Sequence, residues 1–595
     1  MAKTSRLECV PFPVLLLLLL VLHVFPATQN DLIINTRNGK IGGMVLSVPR
    51  GEVRAFLGIP YGKPPLGKQR FLPPEPAGSW NGVRRATKFP NSCYQLLDTF
   101  FPGFRGAEMW NPNTPLSEDC LYLNVWTPRF NHTHFHRLPS VPVFVWIYGG
   151  GFVTGTSSLE LYDGRFLSQS EGVVVVSMNY RLGALGFLSL PENKNIRGNA
   201  GLLDQQLALR WVADNIAAFG GDASKVTLFG ESAGAASVGF QLLSPGSRGL
   251  FHRAVMQSGS PNTPWATVSQ EEAWERAMNL GKLLGCPLSP PDNLQSCLQG
   301  IKPEKIISKQ YDVVTDPSVI QLPFVPNTDG IFLPKTPQEL LQTGDFLKTE
   351  VLLGLNKDEG SYFLIYGMPG FNITGQSLIS REHFLQGALL IEPGASDVFR
   401  EAFIFQYTDW ADENNRTKNR DMMSNLVGDQ QFTCPMLEFA HRYSKHGGKT
   451  RLYLFDHRAS TNPWPAWMGV MHGYEIEFVF GVPLNETQGY TPEEVTMSRK
   501  FMKHWANFAR TGNPSIGGAD WPMFTPDCKE YITLNSEPPE RKKMMKAQQC
   551  HFWNNLMPKI QQVSDDFQSC VSANGVDPHC SNVLLLVLLV VTVIY

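Results

Sequence analysis

The sequence predicts an α/β fold in which a large, mostly parallel sheet is flanked by helices. Residues 173–178 form a nearly continuous β-branched run typical of a buried strand, residues 199–219 carry apolar side chains at helical spacing, and residues 226–229 are again apolar and β-prone. Alternation of strand, helix and strand is typical of parallel sheets. No linker composition occurs before about residue 559. Residues 30–558 are therefore predicted to form one domain.

Other segments extend this pattern. Short strands with glycine turns are predicted within residues 31–59, and further apolar strands at 121–126, 141–148, 254–257, 351–354 and 452–455. A helix is predicted to begin after Thr491, because Thr491-Pro-Glu-Glu494 has the capping-box pattern with proline in the first turn. Gly512 and Pro514 are expected to end it.

Composition excludes one class of partner. The chain has 595 residues, of which 43% are hydrophobic and 17% charged, so a large core is available. The net charge of −2 provides no basic surface for nucleic acid. No cysteine spacing is typical of a zinc site, and no cofactor is predicted.

Both ends of the chain have the composition of targeting segments. Lys3 and Arg6 precede an apolar run at residues 14–22, which predicts a secretory signal peptide over residues 1–29. Residues 583–595 are uncharged and almost wholly apolar, and small residues at 572–575 precede a polar spacer. This layout predicts a GPI anchor with residues 576–595 removed; the alternative is a transmembrane anchor, for which thirteen residues are short of the roughly 20 required.

Secretion makes disulfides and glycosylation the expected modifications. Eight cysteines remain once the two targeting segments are excluded. Four sequons predict N-glycosylation at Asn131, Asn372, Asn415 and Asn485.

Residues 230–234, Gly-Glu-Ser-Ala-Gly, match the G-x-S-x-G nucleophile elbow. A predicted strand precedes the motif and a small-residue, helix-compatible segment follows it, as the elbow requires. The alternative is an ordinary serine in a glycine-rich turn. A second glycine run, Gly149-Gly150-Gly151, follows the strand at 141–148, and consecutive backbone N–H groups there are able to converge on one oxygen.

A nucleophilic serine needs a base and an orienting carboxylate, which follow in the order Ser, Asp/Glu, His in this architecture. His472, flanked by glycines in a loop after a predicted strand, is the candidate base. Asp358 and Glu359 both lie at the carboxyl end of the strand at 351–354, where active sites of open α/β sheets gather. Spacing alone does not choose between these two carboxylates, and either is otherwise a solvated loop residue.

Four motifs are similar to signatures of the cholinesterase family, an α/β-hydrolase group. They are Phe229-Gly-Glu-Ser-Ala-Gly-Ala-Ala-Ser-Val238, Ser117-Glu-Asp-Cys-Leu-Tyr-Leu-Asn124, Gly354-Leu-Asn-Lys-Asp-Glu-Gly360 and Trp467-Met-Gly-Val-Met-His-Gly-Tyr-Glu475. The resemblance spans roughly residues 31–558. It implies a serine esterase that hydrolyses choline esters through an acyl-enzyme, in a deep gorge lined by aromatic residues, at extracellular surfaces including synapses.

The resemblance also implies roles for individual residues. The triad would be Ser232, Glu359 and His472, with oxyanion donors at Gly150, Gly151 and Ala233. The choline site would comprise Trp110, Glu231, Tyr362 and Trp464, because a quaternary ammonium cannot donate a hydrogen bond and favours aromatic faces. The implied disulfides are Cys93–Cys120, Cys286–Cys297 and Cys434–Cys550. Cys570, in a tail at 559–575, would link two subunits of a homodimer, and Cys528 is left without a partner.

Two regions depart from acetyl-selective members of the family. The acyl pocket would be formed by Trp265, Ile320, Leu322 and Phe324, with Ile320 and Leu322 where those members carry two phenylalanines, so longer acyl groups are expected to fit. At the gorge mouth, Asp98, Tyr311 and Tyr366 would form a peripheral site. Leu96, Val153 and Tyr311 stand where vertebrate members have Tyr, Tyr and Trp, which predicts weaker peripheral cation binding.

Two other functions are compatible with this scaffold. An adhesion protein resembling neuroligins would lack one or more triad residues, whereas all three stand in intact motifs here. A general carboxylesterase acting on neutral esters would gain little from Trp110, Asp98 and Glu231. Each isolated aromatic also has an alternative role in core packing.

Overall fold

The computed structural model describes residues 32–129, 140–315, 318–518 and 520–572. The predicted signal peptide, Asn131 and the predicted anchor segment lie outside these ranges. The strands are β1 Ile33–Thr36, β2 Gly39–Gly42, β3 Met44–Val48, β4 Gly51–Pro60, β5 Val83–Arg85, β6 Tyr122–Pro128, β7 Val141–Ile147, β8 Val174–Met178, β9 Gly221–Glu231, β10 Arg253–Gln257, β11 Glu350–Asn356, β12 Lys449–Phe455, β13 Glu530–Leu534 and β14 Glu540–Lys543.

Eleven of these strands form one mixed sheet in the order β14-β13-β12-β11-β10-β9-β7-β8-β6-β4-β3. Every pair from β13 to β8 is parallel, and the antiparallel pairs lie at the two edges. The first two strands and β5 form a separate three-stranded sheet. The predicted α/β-hydrolase fold class is therefore confirmed, with a parallel centre because strands buried on both faces need crossover connections.

Helices cover both faces of the sheet and build the region above it. The α-helices are α1 Arg105–Glu108, α2 Arg165–Glu171, α3 Gly183–Phe187, α4 Ala200–Asn215, α5 Ala233–Leu243, α6 Gln270–Leu283, α7 Pro291–Gly300, α8 Pro303–Lys309, α9 Pro337–Thr343, α10 Ser361–Leu364, α11 Arg381–Ala388, α12 Asp397–Gln406, α13 Arg416–Gly428, α14 Cys434–Lys445, α15 Ile476–Phe480, α16 Pro492–Thr511, α17 Ala547–His551 and α18 Met557–Ser572. Two π-helical turns, Asp429–Thr433 and Phe552–Leu556, continue α13 and α17.

Short 3-10 segments complete the described secondary structure. They are Gly67–Gln69, Glu160–Tyr162, Ile216–Phe219, Pro245–Ser247, Gln310–Val313, Ala466–Met468, Val482–Leu484 and Glu486–Gln488. The segment Ile216–Phe219 finishes the predicted helix at 199–219 in a tighter turn. Its cap, Gly220, has a φ of 88°.

The helix α16 begins as its sequence predicts. The Thr491 side chain accepts a hydrogen bond from the backbone N–H of Glu494, and the Glu494 side chain accepts one from the Thr491 backbone. Gly512 ends the helix with a φ of 77°. Such a reciprocal cap satisfies two N–H groups that a helix start otherwise leaves unpaired.

The three disulfides implied by the resemblance are present: Cys93–Cys120, Cys286–Cys297 and Cys434–Cys550. The first closes the loop that carries Asp98 and Trp110, and so ties both residues to the sheet beside β6. Cys528 is exposed and unpaired.

Candidate active site

Ser232 lies in a strained turn between β9 and α5. Its φ of 56° and ψ of −124° define a backbone conformation that a residue with a β-carbon rarely adopts. This conformation costs about 1–3 kcal/mol. Its backbone N–H donates to Gln257 O at 2.9 Å, which fixes the turn to the end of β10. A β-carbon on Gly234 would lie 2.0 Å from Ile147 O, so only glycine allows the helix to begin so close to β7.

The glycine loop after β7 passes directly against this serine. A β-carbon on Gly149 would lie 2.9 Å from the β-carbon of Ser232, so the backbone approaches to contact distance there. Gly150 and Gly151 line the same cavity as Ser232. Ala233 is the first residue of α5, and the first N–H groups of a helix have no intrahelical partner. Gly150 and Gly151 thus share the cavity with Ser232, and Ala233 follows it directly in the chain.

The structure brings Glu359, and not Asp358, to His472. Nδ1 of His472 lies 2.7 Å from Oε2 of Glu359, while Oε1 of Glu359 accepts from the backbone N–H of Asn356 at 2.7 Å. Asp358 turns the other way, and its Oδ2 accepts from the backbone N–H of Val470 at 2.8 Å. Glu359 therefore orients the imidazole, and Asp358 anchors the loop that carries it.

The other imidazole nitrogen faces the cavity. Nε2 of His472 lies 3.1 Å from Oε1 of Glu231, but it has no aligned hydrogen-bond partner among the described residues. Catalytic hydrogen bonds in substrate-free sites are often long and tighten on binding. Nε2 is therefore free to accept a proton from a group in the cavity.

Buried carboxylates control the charge at this site. Burial opposes the charged imidazolium, but Glu231, Glu359 and Glu475 outweigh this effect and raise the pKa of His472. Burial raises the pKa of Glu231, and His472 only partly offsets that rise. Two neighbouring groups with shifted pKa values in one cavity are typical of functional sites.

A cavity of about 290 Å³ opens onto the serine. Eleven of the predicted site residues line it: Trp110, Gly150, Gly151, Glu231, Ser232, Trp265, Ile320, Leu322, Tyr362, Tyr366 and His472. Six other predicted residues of the catalytic, oxyanion, choline, acyl and peripheral groups are outside the lining: Ala233, Glu359, Phe324, Trp464, Asp98 and Tyr311. Most of the predicted residues, which are dispersed along the chain, therefore meet in one cavity.

An aromatic ring and a carboxylate meet next to His472. A β-carbon on Gly473 would lie 3.2 Å from the Trp110 ring and 3.5 Å from Oε1 of Glu231, so both groups border this glycine. The Trp110 ring packs edge-on against Tyr474 at 6.2 Å between centroids. An indole face beside a carboxylate is a combination that attracts a quaternary ammonium.

Tyr362 and Trp464 form a second aromatic layer. Their rings pack edge to face at 5.7 Å, with Tyr362 on the cavity side. Trp464 is buried and packs on Phe104 at 4.6 Å. Trp464 thus supports Tyr362 from behind.

At the cavity mouth, Asp98 is held by Tyr366. The Tyr366 hydroxyl donates to Oδ2 of Asp98 at 2.8 Å and lies 3.1 Å from the Tyr362 hydroxyl. The chain Asp98–Tyr366–Tyr362 therefore connects the mouth to the second aromatic layer. Val153 lines the cavity, Leu96 is 39% exposed, and Tyr311 is partly buried in the segment Gln310–Val313.

The acyl side combines predicted residues with two that sequence reasoning missed. Trp265 donates from Nε1 to Gln431 O at 3.0 Å, which fixes its ring. Phe432 and Phe363 line the cavity and pack on His472 with centroids 4.5 and 5.2 Å away. The position of Phe363 next to the predicted Tyr362 is a signal that could have identified it as a cavity residue. Nothing in the sequence around Phe432 marks it in this way.

Three of the four predicted glycosylation sites lie within the described residues. Asn372 is exposed, and Asn415 and Asn485 are partly exposed.

Within the described ranges, no group of three or more acidic, histidine or cysteine side chains is arranged to hold a metal ion. No helix in that part of the chain combines the length and apolar character needed to cross a bilayer.

Comparison with known proteins agrees with this geometry. Residues 30–553 match the carboxylesterase family. The chain is 50% identical to the acetylcholinesterase of Bungarus fasciatus, over 94% of this chain and 92% of that enzyme. It is 49% identical to the acetylcholinesterase of Danio rerio, over 95% of this chain and 94% of that enzyme. With a serine elbow, a carboxylate-oriented histidine and a match over most of its length, the chain belongs to the carboxylesterase family.

Proposed function

We propose that the protein is a serine esterase that hydrolyses choline esters to choline and a carboxylate. The observation that carries the proposal is the grouping of His472, Glu231 and the Trp110 ring around Gly473, in the cavity that Ser232 faces. A neutral ester would gain little from a buried carboxylate beside an indole ring. Similarity to acetylcholinesterases over most of the chain supports the same substrate class.

The proposed mechanism has two acyl-transfer steps. His472 takes the proton of the Ser232 hydroxyl as the oxygen attacks the ester carbonyl, and Glu359 stabilises the resulting imidazolium. The backbone N–H groups of Gly150, Gly151 and Ala233 hold the oxyanion, and each such donor is worth about 2.7–4 kcal/mol of barrier. The imidazolium then protonates choline as it leaves. Water repeats the sequence on the acyl-enzyme and releases the carboxylate.

A substrate pair tests the proposal. Acetylthiocholine and its uncharged carbon isostere, 3,3-dimethylbutyl thioacetate, share the acyl group and differ at the ammonium. We expect kcat/KM to be higher for the cation by about 30-fold, the equivalent of a desolvated cation–π contact of about 2 kcal/mol. Equal values would instead identify a general carboxylesterase, and no turnover of either substrate would contradict an enzymatic function.

The acyl preference is proposed to be broad. Ile320 and Leu322 line the cavity beside Trp265, and aliphatic side chains leave more room than aromatic ones. We expect acetyl-, propionyl- and butyrylthiocholine all to be hydrolysed. Fast acetylthiocholine turnover without measurable butyrylthiocholine turnover would contradict this proposal.

We also propose an extracellular, GPI-anchored and glycosylated enzyme. The predicted signal peptide, the apolar C-terminus and the sequons support this, and Asn372, Asn415 and Asn485 are at least partly exposed. Release of activity from intact cells by phosphatidylinositol-specific phospholipase C tests the anchor. Retention of activity on treated cells would favour a transmembrane anchor, and a glycosidase-induced fall in apparent mass tests glycosylation.

A homodimer is proposed from two adjacent helices. On α12, the exposed fractions of Val398 and Phe405 are 63% and 67%. Two further exposed apolar residues are Leu556, which immediately precedes α18, and Val563 within α18. These two helices pack against each other, and we propose that a second copy covers their exposed apolar side chains. Cys570 lies near the end of α18. Electrophoresis with and without reductant, using Cys570→Ser, tests the covalent link.

A further inference from the structure

Asn356 occupies the last position of β11 and contacts three parts of the active site. Its backbone N–H donates to Oε1 of Glu359 at 2.7 Å. Its side-chain amide donates to Oε2 of Glu475 at 2.6 Å and to the backbone carbonyl of Met471 at 2.8 Å. Met471 immediately precedes His472, so one buried residue binds the orienting carboxylate, the histidine loop and a second carboxylate.

Glu475 is the anchor of that loop. It is fully buried, three residues after His472, and its two oxygens accept from different strands. Oε2 accepts from Asn356 at the end of β11, and Oε1 accepts from the Gln257 side chain, at 3.0 Å, at the end of β10. The backbone carbonyl of Gln257 in turn accepts from Ser232 N–H. Gln257 therefore contacts both the turn that carries Ser232 and the carboxylate that anchors the His472 loop. Asn356 contacts the same carboxylate.

The Asn356 amide acts as a donor only. Both hydrogens of its nitrogen are used, whereas Oδ1 has no hydrogen-bond partner among the described residues. A flipped amide would direct Oδ1 at both the Glu475 carboxylate and the Met471 carbonyl, which is repulsive, so the hydrogen-bond network assigns one orientation. A side chain of the same shape without the N–H donors cannot replace it.

We propose that Asn356 is a positioning residue for catalysis, which sets the distance between His472 and Ser232 by binding Glu359, Glu475 and the Met471 carbonyl at once. The inference rests on the proposed esterase function. Beyond a single β-bridge between Met471 and Asp358, the histidine loop at residues 469–474 has no helix or strand, so side-chain hydrogen bonds to strand ends contribute to its position. Misplacement of a catalytic group by about 1 Å costs on the order of 10²-fold in rate.

A polarity exchange tests this role. Asn356→Asp keeps the shape but turns a donor into a carboxylate facing Glu475, and we expect kcat for acetylthiocholine to fall about 10²-fold. The KM is expected to stay within about twofold, because Trp110 binds the ammonium independently. Glu475→Gln alone places two donors face to face and lowers kcat similarly.

The combined variant N356D/E475Q restores complementarity between positions 356 and 475, although the new carboxylate still faces the Met471 carbonyl. The new amide is able to accept from Gln257 and donate to the new carboxylate, so we expect kcat to recover to within about tenfold of the native chain. Losses that simply add in the double variant, or a single variant that changes KM and leaves kcat intact, would overturn the positioning role. Asn215→Asp is the matched control, since Asn215 is a buried amide bonded to Arg37 N and Trp211 O, remote from the site.

Each variant's thermal unfolding and its stoichiometry of labelling by an organophosphate separate lost folding from lost positioning. A folded single variant that labels slowly, and regains its labelling rate in N356D/E475Q, supports the inference. Failure of the native chain to hydrolyse acetylthiocholine would reject the proposed function instead, because the inference concerns only differences from an active native chain.

Discussion

Nδ1 of His472 lies 2.7 Å from Oε2 of Glu359, although the two residues are 113 positions apart in the chain. The carboxylate leaves the end of β11 and the imidazole arrives on the loop after β12, and these strands are parallel neighbours. The pairing therefore depends on sheet register. Five predictions follow from the site that this register assembles.

The first prediction concerns the nucleophile. Ser232→Ala should lower kcat for acetylthiocholine by about 10⁶-fold, because loss of the serine of a triad removes all covalent turnover. Mass spectrometry after organophosphate treatment should show no added mass on the variant. The control is Ser237→Ala, one turn further along α5, whose hydroxyl only accepts from Gln205; it should remain active. Labelling at another serine would contradict the assignment.

The second prediction separates two adjacent carboxylates. Glu359→Gln should lower kcat by about 10⁴-fold, since an amide favours the wrong imidazole tautomer. Asp358→Asn should keep most activity and lose about 1 kcal/mol of stability, because the Asp358 carboxylate accepts from Val470 N–H rather than binding His472. Steady-state kinetics and thermal unfolding measure both effects. The reverse order of activity loss would identify Asp358 as the triad acid.

The third prediction concerns pH. Glu231 favours the imidazolium and so raises the pKa of His472, and the base acts only when neutral. Glu231→Gln should therefore lower that pKa and shift the acid limb of the kcat/KM profile to lower pH, although Glu359 and Glu475 continue to raise it. The control Glu350→Gln, at the opposite end of β11, should leave the limb in place. A shift to higher pH would contradict the charge arrangement.

The fourth prediction concerns the ammonium site. Trp110→Ala should reduce kcat/KM for acetylthiocholine about 30-fold more than for 3,3-dimethylbutyl thioacetate, because only the cation loses a desolvated cation–π contact of about 2 kcal/mol. Trp410→Ala, at a tryptophan that is 54% exposed, should affect neither substrate. Equal losses for both substrates would mean that Trp110 contributes shape rather than cation recognition.

The fifth prediction concerns acyl length. Leu322 lines the cavity, and a β-carbon on Gly151 would lie 2.6 Å from its Cδ2, so the side chain borders the glycine loop after β7. Leu322→Phe should reduce the butyryl-to-acetyl ratio of kcat/KM by roughly 10-fold to 200-fold, the range for a single methylene group in a hydrophobic pocket. Leu333→Met, in the core, is the control. An unchanged ratio would place the acyl group elsewhere.

The sequence by itself determined the serine elbow, the glycine run and the strands around them. These features depend on neighbours in the chain: residues 226–243 form strand, turn and helix because of local propensity and because Gly230 and Gly234 allow close backbone approach. Family resemblance then supplied residue roles, and three disulfide pairings implied by it are present in the structure.

Only the tertiary structure decided which groups meet. Asp358 and Glu359 are adjacent and chemically alike, and the turn after β11 directs one to Val470 and the other to His472. Phe432 reaches the histidine from a π-helical turn that no local pattern marked, and Asn356 reaches Glu475 across 119 positions. Such contacts depend on strand register and long-range packing, which local propensity does not encode.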